Sequence, residues 1–137
     1  MEMEAEMMRA ADIFDEVKKS LQRRFKVRTS LQEVPMRIEN EIYLEVDSIR
    51  MEPAEFRAYE WIMSVRCVGY ADRDADAVAL IEDIMLTLET GQYSADTFYV
   101  EYGTMNATGT AFEVEVMFTL KWVGEVSKDG ALCESGS

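Results

Sequence analysis

Carboxylates at Asp72, Asp74, Asp76 and Asp83 take the first, third, fifth and twelfth places of the stretch DRDADAVALIED. With this spacing an EF-hand loop surrounds calcium with about six to eight oxygens. The residues between them oppose that chemistry. The sixth place, where such a loop turns sharply on Gly, is Ala77, and Val78, Ala79, Leu80 and Ile81 follow it. Apolar residues at Val78, Ile81, Ile84, Met85 and Leu88 then recur at steps of three and four, which is one buried helical face. The spacing therefore predicts a helix with an acidic start, capped by one of the three aspartates and binding no metal. Carboxylates there accept hydrogen bonds from unpaired N–H groups and complement the helix dipole, together worth about 1 to 2 kcal/mol. Gly91, after Glu89 and Thr90, reads as the stop. The alternative is a small α+β ligand- or metal-binding module, a dimer with the Asp72 cluster as its site.

Other chemistry finds little material. The chain contains no histidine, which removes nucleophile systems with a His base and most zinc sites. It also has no Gly-rich phosphate loop and no CxxC pair. Glu113 and Glu115 are a carboxylate pair, but they alternate with apolar residues on the wet face of a strand, where carboxylates are solvated. No catalytic, cofactor-binding or metal-binding residue is assigned, and the expectation is a protein that is not an enzyme.

The elements that would position any surface of interest follow from periodicity. Met3, Met7, Ala10, Phe14, Val17, Leu21 and Phe25 alternate steps of four and three, so the chain should open with a long amphipathic helix. Lys18, Lys19, Arg23, Arg24, Lys26 and Arg28 form a basic cluster at its end, where cations suit the dipole. After Pro35 the period becomes two. Ile42, Leu44 and Val46 alternate with Tyr43, Glu45 and Asp47 on a wet face. In FRAYEWIMSVRCVGY, Tyr59, Trp61, Met63, Val65 and Cys67 share one face, with Glu60, Ser64 and Arg66 on the other. Between these strands DSIRMEPAE, with Pro53, predicts a hairpin tip or extended β arm. TFYVEY and AFEVEVMFTLKWV are two more strands joined by a loop GTMNATGT, and Phe112, Val114, Val116, Phe118, Leu120 and Trp122 form the apolar face of the last.

The expected fold is α+β: an antiparallel sheet of four to five strands with two helices packed on one face, in a single domain over 1–126, followed by a flexible tail over 127–137. Its core should combine Trp61, Met63, Val65, Val114, Val116, Phe118 and Leu120 with Phe14, Val17, Leu21, Ile81, Ile84 and Leu88. At 137 residues and 48% hydrophobic, the chain has enough for one core. It has no apolar run of the ~18 residues a membrane helix needs, so no membrane partner is expected. MEMEAEMMRAADIF lacks the basic and apolar regions of a signal peptide, which predicts assembly in the cytoplasm. Cys67 and Cys133 lie in a strand and a polar tail, a poor disulfide pair, and Asn106-Ala107-Thr108 is read as turn chemistry. The formal net charge is −13, and from Thr29 onward 7 basic residues face 21 acidic ones. Such a surface repels phosphate backbones.

The order of a leading helix, EIYLEVDSI, YEWIMSVRCVGY, the acid-started helix DADAVALIEDIMLTL and the closing strand FEVEVMFTLKWV resembles the tail terminator (tail completion) proteins of long-tailed bacteriophages over about residues 8 to 124. The resemblance implies a structural virion protein of the tail or neck. It would form a six-membered ring that caps the tail tube, contacts the tube protein and the head connector, and lets DNA pass its lumen without specific binding. No catalytic residue or cofactor comes with that family. Arg50 to Phe56 is longer than in shorter members. On the residues themselves, Arg50, Met51, Glu52 and Phe56 in the arm, with Met105 and Asn106 in the second hairpin, are the candidate contacts with neighbouring copies.

Overall fold

The computed structural model describes residues 9–29, 41–55 and 58–125. Expectations for Met3, Met7, Pro35, Phe56, Cys133 and the 127–137 tail lie outside these residues. Seven elements follow in order: α1 (Ala10–Gln22), β1 (Lys26–Arg28), β2 (Glu41–Pro53), β3 (Ala58–Ala71), α2 (Asp74–Glu89), β4 (Thr97–Thr108) and β5 (Ala111–Glu125). The fold is α+β as the periodicities require, with one five-stranded sheet in the order β1-β2-β3-β5-β4. Every pairing is antiparallel except β1 with β2, which is parallel and was not legible in the basic cluster that contains it. Lys26 and Arg28 thus belong to a strand, and Arg28 reaches the buried carboxylate of Glu41.

Both helices join one core with one face of the sheet. Ile13, Val17 and Leu21 of α1 and Ala77, Ile84 and Leu88 of α2 are buried against Leu44, Met63, Val65, Cys67, Val114, Val116, Phe118 and Leu120. Phe14, Trp61 and Ile81, expected inside, are only half-buried, and Ile13 takes the central place in α1. Val78 is exposed, correcting its placement on the buried face of α2. The register explains the strand residues. Val46, Val65 and Phe118 are cross-strand neighbours on the helix side, as are Ile49, Met63 and Leu120, and then Met51, Trp61 and Trp122. The wet-face assignment of Tyr43 fails, and Thr119 departs from alternation in the same way: both lie on the face that carries no helix among the described residues, yet both are almost wholly buried. Tyr43 donates to Glu41 at 3.2 Å, and burial, reinforced by that carboxylate, raises its phenol pKa. Thr119 lies beneath Ser64 and Glu101, to which it is hydrogen-bonded.

The start of α2 also differs from expectation. Arg73, in extended conformation, occupies the cap position, and no side chain makes the cap hydrogen bond. Asp74 instead accepts from the Ala75 N–H at 2.6 Å, and Arg73 bonds Asp76 at 3.1 Å. The acids still suit the positive helix end, but as first-turn residues. At the other end a methyl on Gly91 would collide with Ser20 Oγ and the Tyr93 hydroxyl, so the glycine provides close approach of α1 and α2.

Candidate functional site

The β2–β3 hairpin outruns the helices and forms the expected arm. Its strands pair from Ser48↔Ser64 to Pro53↔Tyr59, and β5 continues beside β3 as far as Ala58↔Glu125. β4 joins only at Thr97↔Lys121, so the last part of the sheet is three strands wide.

Alternation sorts the arm into two faces. On the helix side, Val46, Ile49 and Met51 are 40%, 47% and 47% exposed, beside the half-buried Trp61. Trp61 stacks on Trp122 with centroids 6.5 Å apart. This stripe is continuous with the core yet left uncovered by the described residues, and over its cross-strand pairs Val46↔Val65, Ile49↔Met63 and Met51↔Trp61 it carries no charge. On the opposite side stand Arg50 and Glu52, bonded to each other at 3.2 Å and both exposed. The candidate triplet Arg50, Met51 and Glu52 is therefore divided: Met51 belongs to the apolar stripe and the two charges to its back. Val46 and Ile49 are members the sequence reading missed. Alternation alone could not have joined them, since Val46 and Ile49 fall on opposite faces of a regular strand and share one only if an extra residue intervenes. That residue is Asp47, at the bulge between Val46 and Ser48.

Met105 and Asn106 are not brought to the arm. GTMNATGT is not a loop: β4 runs through Thr108, and the turn is only Gly109-Thr110, with Gly109 at φ 65°, the left-handed conformation that glycine adopts freely. Met105 pairs with Val114 and packs half-buried against the core, leaving Asn106 exposed. Arg50 lies opposite Ile62, whereas Val114, opposite Met105, lies opposite Gly69, which separates the two positions by roughly 23 Å along the strands at about 3.3 Å per residue.

Both long edges of the sheet are blunted in the same manner. Beyond Tyr43, β2 has no strand beside it among the described residues, and β4 is the other edge. Each is interrupted by a bulge centred on an acid, Asp47 in β2 and Glu101 in β4. Bulges and charges on edge strands oppose strand addition by another chain.

The helix-free face carries a polar layer. Arg66 donates to Glu45 at 2.8 Å and to Glu115 at 3.3 Å, and hydrogen bonding to Glu45 above all raises its pKa. Tyr70 donates to Glu113 at 3.2 Å. The two carboxylates considered for acid–base work are therefore each held by a neighbour across the sheet. Cys67 is buried on the other face, and desolvation pushes its thiol pKa far above the ordinary range, so it is held as a neutral thiol. Among the described residues no group of three or more acids or cysteines is placed to hold a metal ion, and no helix is long and apolar enough to cross a membrane. Compared with known proteins, the chain matches no family model and no curated protein.

Proposed function

We propose that the protein is a structural component of a phage virion, a tail terminator or closely related neck protein, which acts as a homomeric ring, six-membered in the resemblance, and not as an enzyme. One observation carries the ring: the uncharged stripe of Val46, Ile49 and Met51 beside Trp61 on an arm that projects beyond its own helices. Exposed apolar area of this kind, in a chain whose net charge of −13 otherwise keeps copies apart, favours a contact completed on assembly. The virion role rests on the order of elements, which matches the layout that the tail-terminator resemblance rests on. In that reading the ring caps the tail tube, meets the head connector, and presents acidic surface along which DNA slides without binding.

Replacing Ser48 to Ala54 with a short Gly-containing turn tests it. The variant should stay folded by circular dichroism yet fail to form rings in sedimentation velocity and fail to cap tail tubes. Rings of normal size from that variant would refute the role of the arm.

A further inference from the structure

We infer that the arm's apolar stripe docks on the helix-free face of the next copy's sheet, around Tyr99, Tyr102 and Val123, in a head-to-tail contact. The inference rests on the ring reading above and names the surface that completes it. A ring built from one repeated contact needs two different patches on each molecule, since a patch that meets itself closes a dimer. Besides Val78 and Leu86, exposed on α2, the described residues hold two exposed apolar patches on the sheet, and these two face opposite ways. Val46, Ile49, Met51 and Trp61 point to the helix side of the sheet. Tyr99, paired with Thr119, Tyr102, paired with Met117, and Val123, two residues beyond Lys121, point to the other side, and all three are exposed. A stripe on one side and a patch on the reverse meet when one molecule slides beneath its neighbour, with no need to turn a copy over.

The chemistry of the two patches is complementary. One offers Met, Ile, Val and Trp, and the other two tyrosines with a valine, residue types that anchor the centres of protein interfaces. Lys121 lies 5.7 Å from the centroid of the Tyr99 ring and brings a positive charge to the helix-free patch. The acid adjoining the stripe is Asp47, exposed at the β2 bulge. Glu60, paired with Val123, and Glu101, bonded to Thr119, border the same patch with acids, so in copies that each carry −13 Lys121 is the cation there that an incoming Asp47 can meet, and the pair gives the contact its direction. The edge bulges at Asp47 and Glu101 oppose the rival arrangement, a continuous sheet joined edge to edge.

Two blocked chains test the pairing. Ile49→Glu with Met51→Glu spoils the stripe, and Tyr99→Glu with Val123→Glu spoils the helix-free patch. All four positions are exposed, so the fold should persist, which circular dichroism checks. By native mass spectrometry each variant alone should be monomeric, its self-association weakened on the order of a hundredfold or more. Mixed in equal amounts, they should form a heterodimer, because each retains the patch the other lacks. A charge exchange provides the second test: Asp47→Lys and Lys121→Glu should each weaken assembly, and the double variant should recover it. A wild-type chain that stays monomeric overturns the ring reading itself. A wild-type ring in which the helix-free-patch variant still assembles alone, or in which the mixture gives no heterodimer, overturns only the head-to-tail pairing.

Discussion

Phe118 shows how much one side chain does in this molecule. It is wholly buried at the centre of β5, between Val65 across the sheet on one side and Val100 on the other, and its ring meets Phe98 with centroids 5.8 Å apart. Removing it opens a cavity that the rigid strands cannot close, so Phe118→Ala should cost about 3 to 5 kcal/mol in urea unfolding. A loss below about 1 kcal/mol would place the side chain outside the core. This residue was legible because six apolar residues alternate through β5 with polar or charged ones between most of them, a period only a strand with one buried face explains. Tyr43 and Thr119 were not. Alternation says which residues share a face, but it cannot say that Glu41 will be buried as the phenol's acceptor or that Glu101 will lie over the threonine. Those are long-range pairings, invisible to a local pattern. Val78 failed for a related reason: its position fits the helical period, and only the placement of α2 on the sheet decides which edge of the apolar stripe is left in water.

At the scale of elements, the ends of the two helices are joined by one cation. Arg23 donates to the Ser20 carbonyl at 2.9 Å, to the Thr87 carbonyl at 2.7 Å and to Thr90 Oγ1 at 3.1 Å. It thus satisfies acceptors at the negative ends of both α1 and α2 at once. Tyr93 adds to the junction by donating to the Leu88 carbonyl at 2.7 Å, and Ser94 ties back to Glu16 through its N–H at 2.8 Å. Arg23→Ala should therefore cost about 1 to 2 kcal/mol and speed hydrogen exchange at the Thr90 and Gly91 amides. Arg23→Lys should recover less than half of that, because an ammonium lacks the planar fork that reaches several acceptors. Equal stability of the alanine variant would show that Arg23 adds nothing to the apolar packing and the other bonds that hold the helices together. The sequence announced cations at the end of α1, yet gave no hint that one would serve α2, some 64 residues away along the chain. The arm was more legible. Its polar, proline-bearing stretch between two alternating runs already called for a protruding hairpin, and the structure adds that one face of it is apolar from Val46 to Trp61. The bulge at Asp47 made that face hard to foresee, since one extra residue shifts every later side chain to the other side. The second hairpin misled for the opposite reason. Gly103, Asn106, Thr108 and Gly109 are loop-rich in type, but β5 supplies partners for the strand through Thr108 and leaves a two-residue turn.

The described molecule is a sheet with one side covered by two helices, a reverse that mixes charged and tyrosine-bearing surface with the buried Ile62, Val68 and Met117, and an arm whose apolar stripe nothing in the described residues covers. Its edges are blunted by bulged acids, its carboxylate pairs are held by neighbours, and its one described thiol is buried and neutral. Within the proposed ring, these features make face-to-face contact between like copies the arrangement that the surface chemistry favours. In the proposed assembly the chain closes into a ring through that stripe. Native mass spectrometry of the full chain at micromolar concentration tests it most directly, with Met51→Glu measured beside it. The wild type should give a closed oligomer of one defined mass, six times that of the chain, and the variant a mass equal to one chain. A wild-type monomer or dimer, or an unchanged oligomer from Met51→Glu, would contradict it.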